Sequence, residues 1–138
     1  MNEKVIKLVK VWIKKAENDL KTAFDELNTE NPATDTICFH AQQCIEKYLK
    51  AYLIFHQRNF PKTHNISRII EICKEIDNDF QIIYSYKAHE LTSYAIEVRY
   101  GEEEYFPSVD EAREAVEIAK KVKEFVLKKL KERGFNYE

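Results

Sequence analysis

Apolar residues recur at three- and four-residue steps along most of the chain, which is the period of α-helices. The first such run, from Glu3 to Asn28, holds one apolar stripe over about seven turns. The run from Thr36 to Gln57 is apolar over a wider part of its circumference, so we expect it to lie between neighbouring helices. The remaining edge of this second run is polar and carries Gln42, Gln43, Glu46, Lys47 and Lys50.

Cap and turn residues separate the helical runs. Asn31 followed by Pro32 predicts the start of the second helix, and Pro61 predicts a loop before the third. Ser108 and Glu111 form a capping-box pattern ahead of the last helix. The later helices are expected over residues 65–76, 80–99 and 109–132. The pattern therefore predicts an all-α fold, an up-and-down bundle of four long helices with one additional short helix.

Length and charge limit the classes of protein that fit. The 138 residues suit a single domain over 1–138. A net charge of -2 gives no general attraction to nucleic acid or to a membrane surface, so any contact with RNA must be local. No long apolar run is present, so we expect neither a signal peptide nor a membrane span.

Cysteine and histidine spacing gives no sign of a metal or cofactor site. Cys38, Cys44 and Cys73 lack the C-x-x-C spacing of zinc or redox sites, so we interpret them as buried thiols of a reducing cytoplasm. The histidines have no carboxylate or cysteine at ligand spacing, and we predict no metal and no cofactor. Asp19 lies on the edge of the first apolar stripe, where we expect it to form a hydrogen bond to the neighbouring helix.

Four sequence blocks follow one another along the chain: WIKKAENDLKTA, FHAQQCIEKYLKAYLIF, KTHNISRII and YAIEVRYGEEEYF. Together they resemble the HEPN domain (higher eukaryotes and prokaryotes nucleotide-binding) from about Trp12 to Leu130. The resemblance implies a HEPN-like helical bundle that pairs into a homodimer, with a cleft along the dimer interface. It also implies a partner protein from the minimal nucleotidyltransferase family.

Nuclease members of that family carry an R-x4-6-H motif, in which the histidine moves protons and the arginine holds the phosphate. The resemblance places Arg99 at the arginine position, but Tyr105 stands where the histidine would be. A tyrosine with a pKa of about 10 is a poor base at neutral pH, although it can stack on a nucleotide base or donate a hydrogen bond. Arg99, Tyr100 and Tyr105 are therefore predicted RNA or nucleotide contacts. The alternative for Arg99 is an ion pair with one of the glutamates at 102–104.

Two further groups of residues are candidates. Arg58 and His64 reproduce the motif spacing in the loop after the second helix, so they are alternative catalytic residues; His64 could instead cap or orient the following helix. Glu46, Lys47 and Lys50 form either a surface salt-bridge row or part of a nucleotide or RNA site.

The resulting functional hypothesis is a HEPN protein that binds nucleotide or RNA in a toxin–antitoxin-like pair with a minimal nucleotidyltransferase. One alternative is an active, metal-independent HEPN ribonuclease toxin. The other is a helical dimerisation module without catalytic activity. No membrane partner is expected under any of the three.

Overall fold

The computed structural model describes residues 2–95 and 105–136. No strand occurs within those ranges, so the predicted all-α fold class is confirmed. The α-helices are α1 (Glu3–Leu27), α2 (Thr34–Phe55), α3 (Ile66–Ile76), α4 (Ile82–Ser85) and α5 (Val109–Glu132). Two 3-10 helices cover Asn78–Gln81 and Ala88–Ala95.

Helix α2 is the centre of the fold. It packs against α1, α3, α5 and the 3-10 helix Ala88–Ala95, as its wide apolar circumference predicts. Most of its apolar positions are fully buried, among them Ile37, Ala41, Ile45, Leu49 and Leu53. Phe39 and Ile54 are half-buried, so a single copy of the chain covers most, but not all, of the apolar surface of α2.

Aromatic contacts fix the direction of the three long helices. Trp12, in the first half of α1, meets Phe60 just after α2, with ring centroids 6.5 Å apart. Phe55, at the end of α2, meets Phe135 beyond α5 at 5.8 Å. Helix α1 therefore runs antiparallel to both α2 and α5. We call the end that holds the start of α1 and the ends of α2 and α5 the Phe60 end.

The start of α2 differs from the prediction. Asn31 is not the N-cap; Ala33 occupies that position and has no side-chain cap of its own. Instead the backbone N–H of Ala33 donates to Oε2 of Glu26, at 2.9 Å, from the end of α1. A side chain from the preceding helix thus satisfies a donor that a local cap would otherwise bind.

The single helix predicted over 80–99 is wrong over its described part. The segment consists instead of two 3-10 helices with the short α4 between them. The break lies at Lys87, whose φ of 65° is left-handed and ends α4. Ile83 and Leu91, which follow the apolar spacing, are buried, and Phe80 is buried as well. Tyr84 and Tyr94 are only half-buried, so the spacing identified part of the buried set but not the break.

The predicted capping box of α5 is confirmed, since Ser108 and Glu111 form it completely. At the start of α3, Asn65 accepts from the backbone N–H of Arg68 and caps the helix. All three cysteines are buried, and burial raises the pKa of Cys38 to about 12. Among the described residues, no helix combines the length and the apolar composition needed to cross a membrane.

Candidate functional site

A buried carboxylate joins α1 to α2. Asp19 is 8% exposed and accepts hydrogen bonds from Nδ1 of His40 at 2.8 Å and from Nζ of Lys47 at 2.5 Å. His40 and Lys47 lie seven residues apart, so both project from one face of α2 towards α1. The predicted hydrogen bond from Asp19 to the neighbouring helix is confirmed. We call these three residues the Asp19 cluster.

A second buried carboxylate joins α2 to the loop that follows it. Glu46 is 4% exposed and binds Nζ of Lys50 at 2.8 Å and Nδ1 of His64 at 2.8 Å. Gln42 donates to Oε1 of Glu46 at 3.2 Å. Burial alone would raise the pKa of Glu46, but the hydrogen bonds from Lys50, His64 and Gln42 outweigh it and hold the pKa below its usual value. Glu46, Lys50 and His64 are called the Glu46 cluster.

Lys50 also contacts the loop between α2 and α3. Its ammonium also donates to the backbone oxygen of Thr63 at 3.0 Å and lies 5.6 Å from the ring centroid of Phe60. The predicted salt bridge between Glu46 and Lys50 is present, but its expected surface position is wrong, because both side chains are buried. Lys47 remains partly accessible, with 24% of its side chain exposed.

His64 presents one ring nitrogen to solvent. An ionised carboxylate has no hydrogen to give, so Nδ1 of His64 donates to Glu46 and a neutral imidazole carries its lone pair on Nε2. The side chain is 61% exposed. A carboxylate that fixes one imidazole nitrogen and leaves the other free is an arrangement suited to proton transfer.

Arg58 and His64 do not form a pair in this structure. The guanidinium of Arg58 binds the carboxylate of Glu75 near the end of α3, whereas His64 binds Glu46. His64 does not cap α3 either, because Asn65 does so. The backbone oxygen of His64 instead accepts from Gln42 at 3.3 Å, which orients the loop ahead of α3.

Tyr105 acts as a hydrogen-bond donor. Its hydroxyl donates to Oε2 of Glu111 at 2.7 Å, and Tyr94 donates to the same oxygen at 2.9 Å. These bonds, from Tyr105 first and then Tyr94, hold the pKa of Glu111 below its usual value, while burial and the carboxylate raise the pKa of Tyr94. Tyr105 is 47% exposed, so its ring is accessible for stacking. Arg99 and Tyr100 lie outside the described residues.

Comparison with known proteins now decides the family. The sequence model of the HEPN domain matches residues 9–130. The chain belongs to the HEPN domain family. This HEPN chain is also similar to a protein of Methanocaldococcus jannaschii named "Putative toxin MJ1304", with 47% identity over 51 residues. That match covers 37% of this chain and 32% of the relative, so it spans about a third of the relative's length. No solved structure matches the chain.

The polar contacts of this HEPN domain were only partly visible in the sequence. The row Gln42, Glu46 and Lys50 follows four-residue spacing and was identified as polar. Nothing local connects Glu46 to His64, which lie 18 residues apart, or Asp19 to His40, which lie 21 apart. Within residues 2–95 and 105–136, no group of three or more His, Cys, Asp or Glu residues could hold a metal ion.

Proposed function

We propose that this HEPN protein is the toxin-type component of a toxin–antitoxin pair and that it binds RNA or a nucleotide beside the Glu46 cluster. The observation that carries the proposal is the exposed imidazole of His64, held by a buried carboxylate. The HEPN family and the similarity to a protein named as a toxin support the toxin-type role. A minimal nucleotidyltransferase is the partner we propose for it.

The energetics of the Glu46 cluster favour a role beyond stability. Burying Glu46 with Lys50 costs desolvation energy that well-packed apolar side chains would avoid. Here the pair holds the loop and fixes the orientation of His64. A neutral His64 can accept from a ribose 2′-hydroxyl through Nε2, and a protonated one can bind a phosphate oxygen. Lys47 projects towards α1 and is bound to Asp19, so it is not part of this proposed site.

We propose the residues at the family's motif position as further contacts to the same RNA or nucleotide. A guanidinium at Arg99 suits bidentate contact with phosphate, and the rings of Tyr100 and Tyr105 suit stacking on a base. Because Tyr105 donates to Glu111 and stands where the family has histidine, Tyr105 is poorly suited to take a proton. We therefore propose that binding, and not cleavage, is the activity of this position.

The second candidate function is a metal-independent ribonuclease. The specific observation in its favour is the Glu46–His64 pair. In that reaction Nε2 of His64 would take the proton of a ribose 2′-hydroxyl, the 2′-oxygen would bond to phosphorus, and the 5′-oxygen would leave and take up a proton. The residue that takes the proton would then belong to the loop after α2 and not to the family's R-x4-6-H motif.

One set of purified variants tests these functions. Binding of labelled mixed RNA is measured by fluorescence anisotropy and cleavage by gel electrophoresis, for wild type, Arg99→Ala and His64→Ala, with His40→Ala as the matched control. We expect Arg99→Ala and His64→Ala each to weaken binding about tenfold, the effect of losing one charge-assisted hydrogen bond. His40→Ala should bind normally, and no protein should cleave.

Two results would change the assignment. Wild-type affinity in both Arg99→Ala and His64→Ala would refute binding at this site. Cleavage that disappears in His64→Ala and survives Arg99→Ala would establish the ribonuclease instead.

We also propose that the protein acts as a homodimer in the cytoplasm. Support for the dimer comes from the HEPN family, since most of the apolar surface of α2 is already covered within one chain. Buried free thiols at Cys38, Cys44 and Cys73 are consistent with a reducing compartment. Sedimentation at micromolar concentration tests the dimer, and a monomer there would contradict it. A dimer that binds neither RNA nor nucleotide would favour the dimerisation module.

A further inference from the structure

Charge is segregated along the two outer long helices. The first half of α1 carries lysines at 4, 7, 10, 14 and 15 against one acid, Glu3, while its second half is mainly acidic. Helix α5 has the opposite order, acidic first and then basic, with lysines at 120, 121, 123, 128, 129 and 131. Because α1 and α5 are antiparallel, their basic halves meet at the Phe60 end. A chain with a net charge of -2 thus has a strongly basic end.

An open groove runs between α1 and α5. Lys120 crosses it, with Nζ 4.6 Å from the ring centroid of Phe24. Phe24 is 44% exposed, which is unusual for a phenylalanine beside a core. The groove is lined by Glu17, Leu20, Lys21 and Phe24 of α1 and by Lys120 and Lys123 of α5.

Helical spacing places further lysines between this groove and the Phe60 end. Lys10 and Lys14 lie seven residues before Glu17 and Lys21, so they continue the same rows of α1 by two turns. Lys131 lies eleven residues, or three turns, after Lys120 and continues the row of α5. The part of α1 from Lys10 to Phe24 is about 21 Å long, at 1.5 Å per residue. The groove together with these lysines is called the α1–α5 groove.

The lysines along this surface are of two kinds: Lys21 and Lys120, which line the groove, pair with Asp25 and Glu117 of their own helices, and exposed pairs of this kind are weak. In the part of the chain that the structure describes, no carboxylate lies within ion-pair distance of Lys10, Lys14 or Lys131. Their ammonium groups are therefore available to phosphates.

We propose that the α1–α5 groove binds a single-stranded nucleic acid, with the lysines at the phosphates and Phe24 stacked on a base. A basic groove that contains an exposed aromatic ring is the usual arrangement for sequence-tolerant binding of single strands. The choice of RNA as the natural ligand rests on the proposed function, but the surface is a separate one. Helix α1 presents Asp19 to α2 and this groove to α5.

The test uses the full chain and fluorescence anisotropy with a labelled oligouridine of about twelve nucleotides, within the range of known single-strand sites. Lys10→Glu with Lys14→Glu should weaken binding at least tenfold. If both lysines contact phosphates, the double variant should also reduce the slope of log affinity against log salt by about 1.4. Phe24→Ala should weaken binding at least fivefold.

The matched control is Lys4→Glu with Lys15→Glu. These two lysines are also exposed and lie eleven residues apart on α1, so they share one row on a different face at the same end of the protein. The charge change is identical, so we expect near wild-type affinity if the groove is the site. Equal losses in both double variants would show general attraction to the basic end and would overturn the proposal. Thermal melts confirm that all variants fold.

Further binding measurements distinguish the possible ligands from one another and the groove from the Glu46 site. Oligothymidine DNA of the same length should bind within about threefold, because phosphates and base faces are common to both; binding of RNA alone would contradict the proposal. Binding of polyglutamate without binding of either nucleic acid would contradict it too, since an acidic protein would then be the partner.

The variants distinguish the two proposed sites. Loss of RNA binding only in His64→Ala would reject the groove and keep the Glu46 site. Loss only in Lys10→Glu/Lys14→Glu would reject the Glu46 site and keep the groove.

Discussion

The Asp19 and Glu46 clusters contain the same groups, one carboxylate, one lysine and one histidine, but bury them differently. In the Asp19 cluster both partners of the carboxylate are partly accessible, His40 at 28% and Lys47 at 24% of the side chain. In the Glu46 cluster Lys50 is 8% exposed and His64 is 61% exposed. Composition alone therefore does not define the role: one cluster joins two packed helices, and the other buries its lysine and presents its imidazole.

The two clusters also hold different kinds of structure. Asp19 connects α1 and α2, which pack together through apolar side chains in any case. Glu46 and Lys50, with Gln42, hold the loop between α2 and α3 through side-chain and backbone contacts. That loop has no regular backbone ladder of its own. The position of His64 therefore depends on the Glu46 cluster, whereas no loop depends on the Asp19 cluster.

Removal of the buried carboxylates is expected to have the largest effect on the free energy of unfolding. Glu46→Ala should lower the free energy of unfolding by about 3 to 5 kcal/mol, because it leaves the ammonium of Lys50 buried without its partner. Asp19→Ala should cost about 1 to 2 kcal/mol, because Lys47 and His40 can reach water. Denaturant unfolding measures both. Equal losses would mean that the two clusters are energetically alike.

A double-mutant cycle sharpens this difference. If the loss in Glu46→Ala comes from the isolated ammonium of Lys50, adding Lys50→Met should recover about 2 kcal/mol. The corresponding cycle of Asp19→Ala with Lys47→Met should show a coupling below about 1 kcal/mol. If the losses of stability in the Glu46 cycle are additive, the loss in Glu46→Ala comes from its contacts with the loop and not from the buried charge of Lys50.

The pH dependence of stability provides a third comparison. The folded pKa of Glu46 lies below its unfolded value, so its contribution is present at neutral pH and is lost as pH falls below about 5 towards the folded pKa. Glu46→Gln should therefore make stability fall less steeply over this acidic range. Other carboxylates with lowered pKa values, such as Asp77 and Glu111, are present in both wild type and Glu46→Gln, so their contributions cancel in the difference between the two curves. Identical slopes would contradict the proposed ionisation.

The smallest expected effect is that of the imidazoles on stability. His64→Ala should lower the free energy of unfolding by less than about 1 kcal/mol, because its side chain is mostly in water and Glu46 keeps Lys50. The exposed imidazole of His64 should also react faster than that of His40 with an acylating reagent, as followed by mass spectrometry. A faster reaction at His40 would reverse the assignment of the solvent-facing histidine.

Much of the fold follows from patterns within single helices. The wide apolar surface of α2 predicted its central position, and Ser108 with Glu111 predicted the start of α5. Asp19, at the edge of the stripe of α1, was predicted to bond to a neighbouring helix. These inferences succeed because helical periodicity and capping involve residues a few positions apart.

Other features depended on how the helices pack. The left-handed turn at Lys87 divides an apolar pattern that reads as one helix, and Glu26 replaces the expected cap at Asn31. The pattern placed Glu46 and Lys50 on a polar edge, but packing buried them and brought His64 to them. Spacing determines which residues share a face of one helix. Burial and partners across 18 residues or more are set by the neighbouring segments, because only they decide which polar groups lose contact with water.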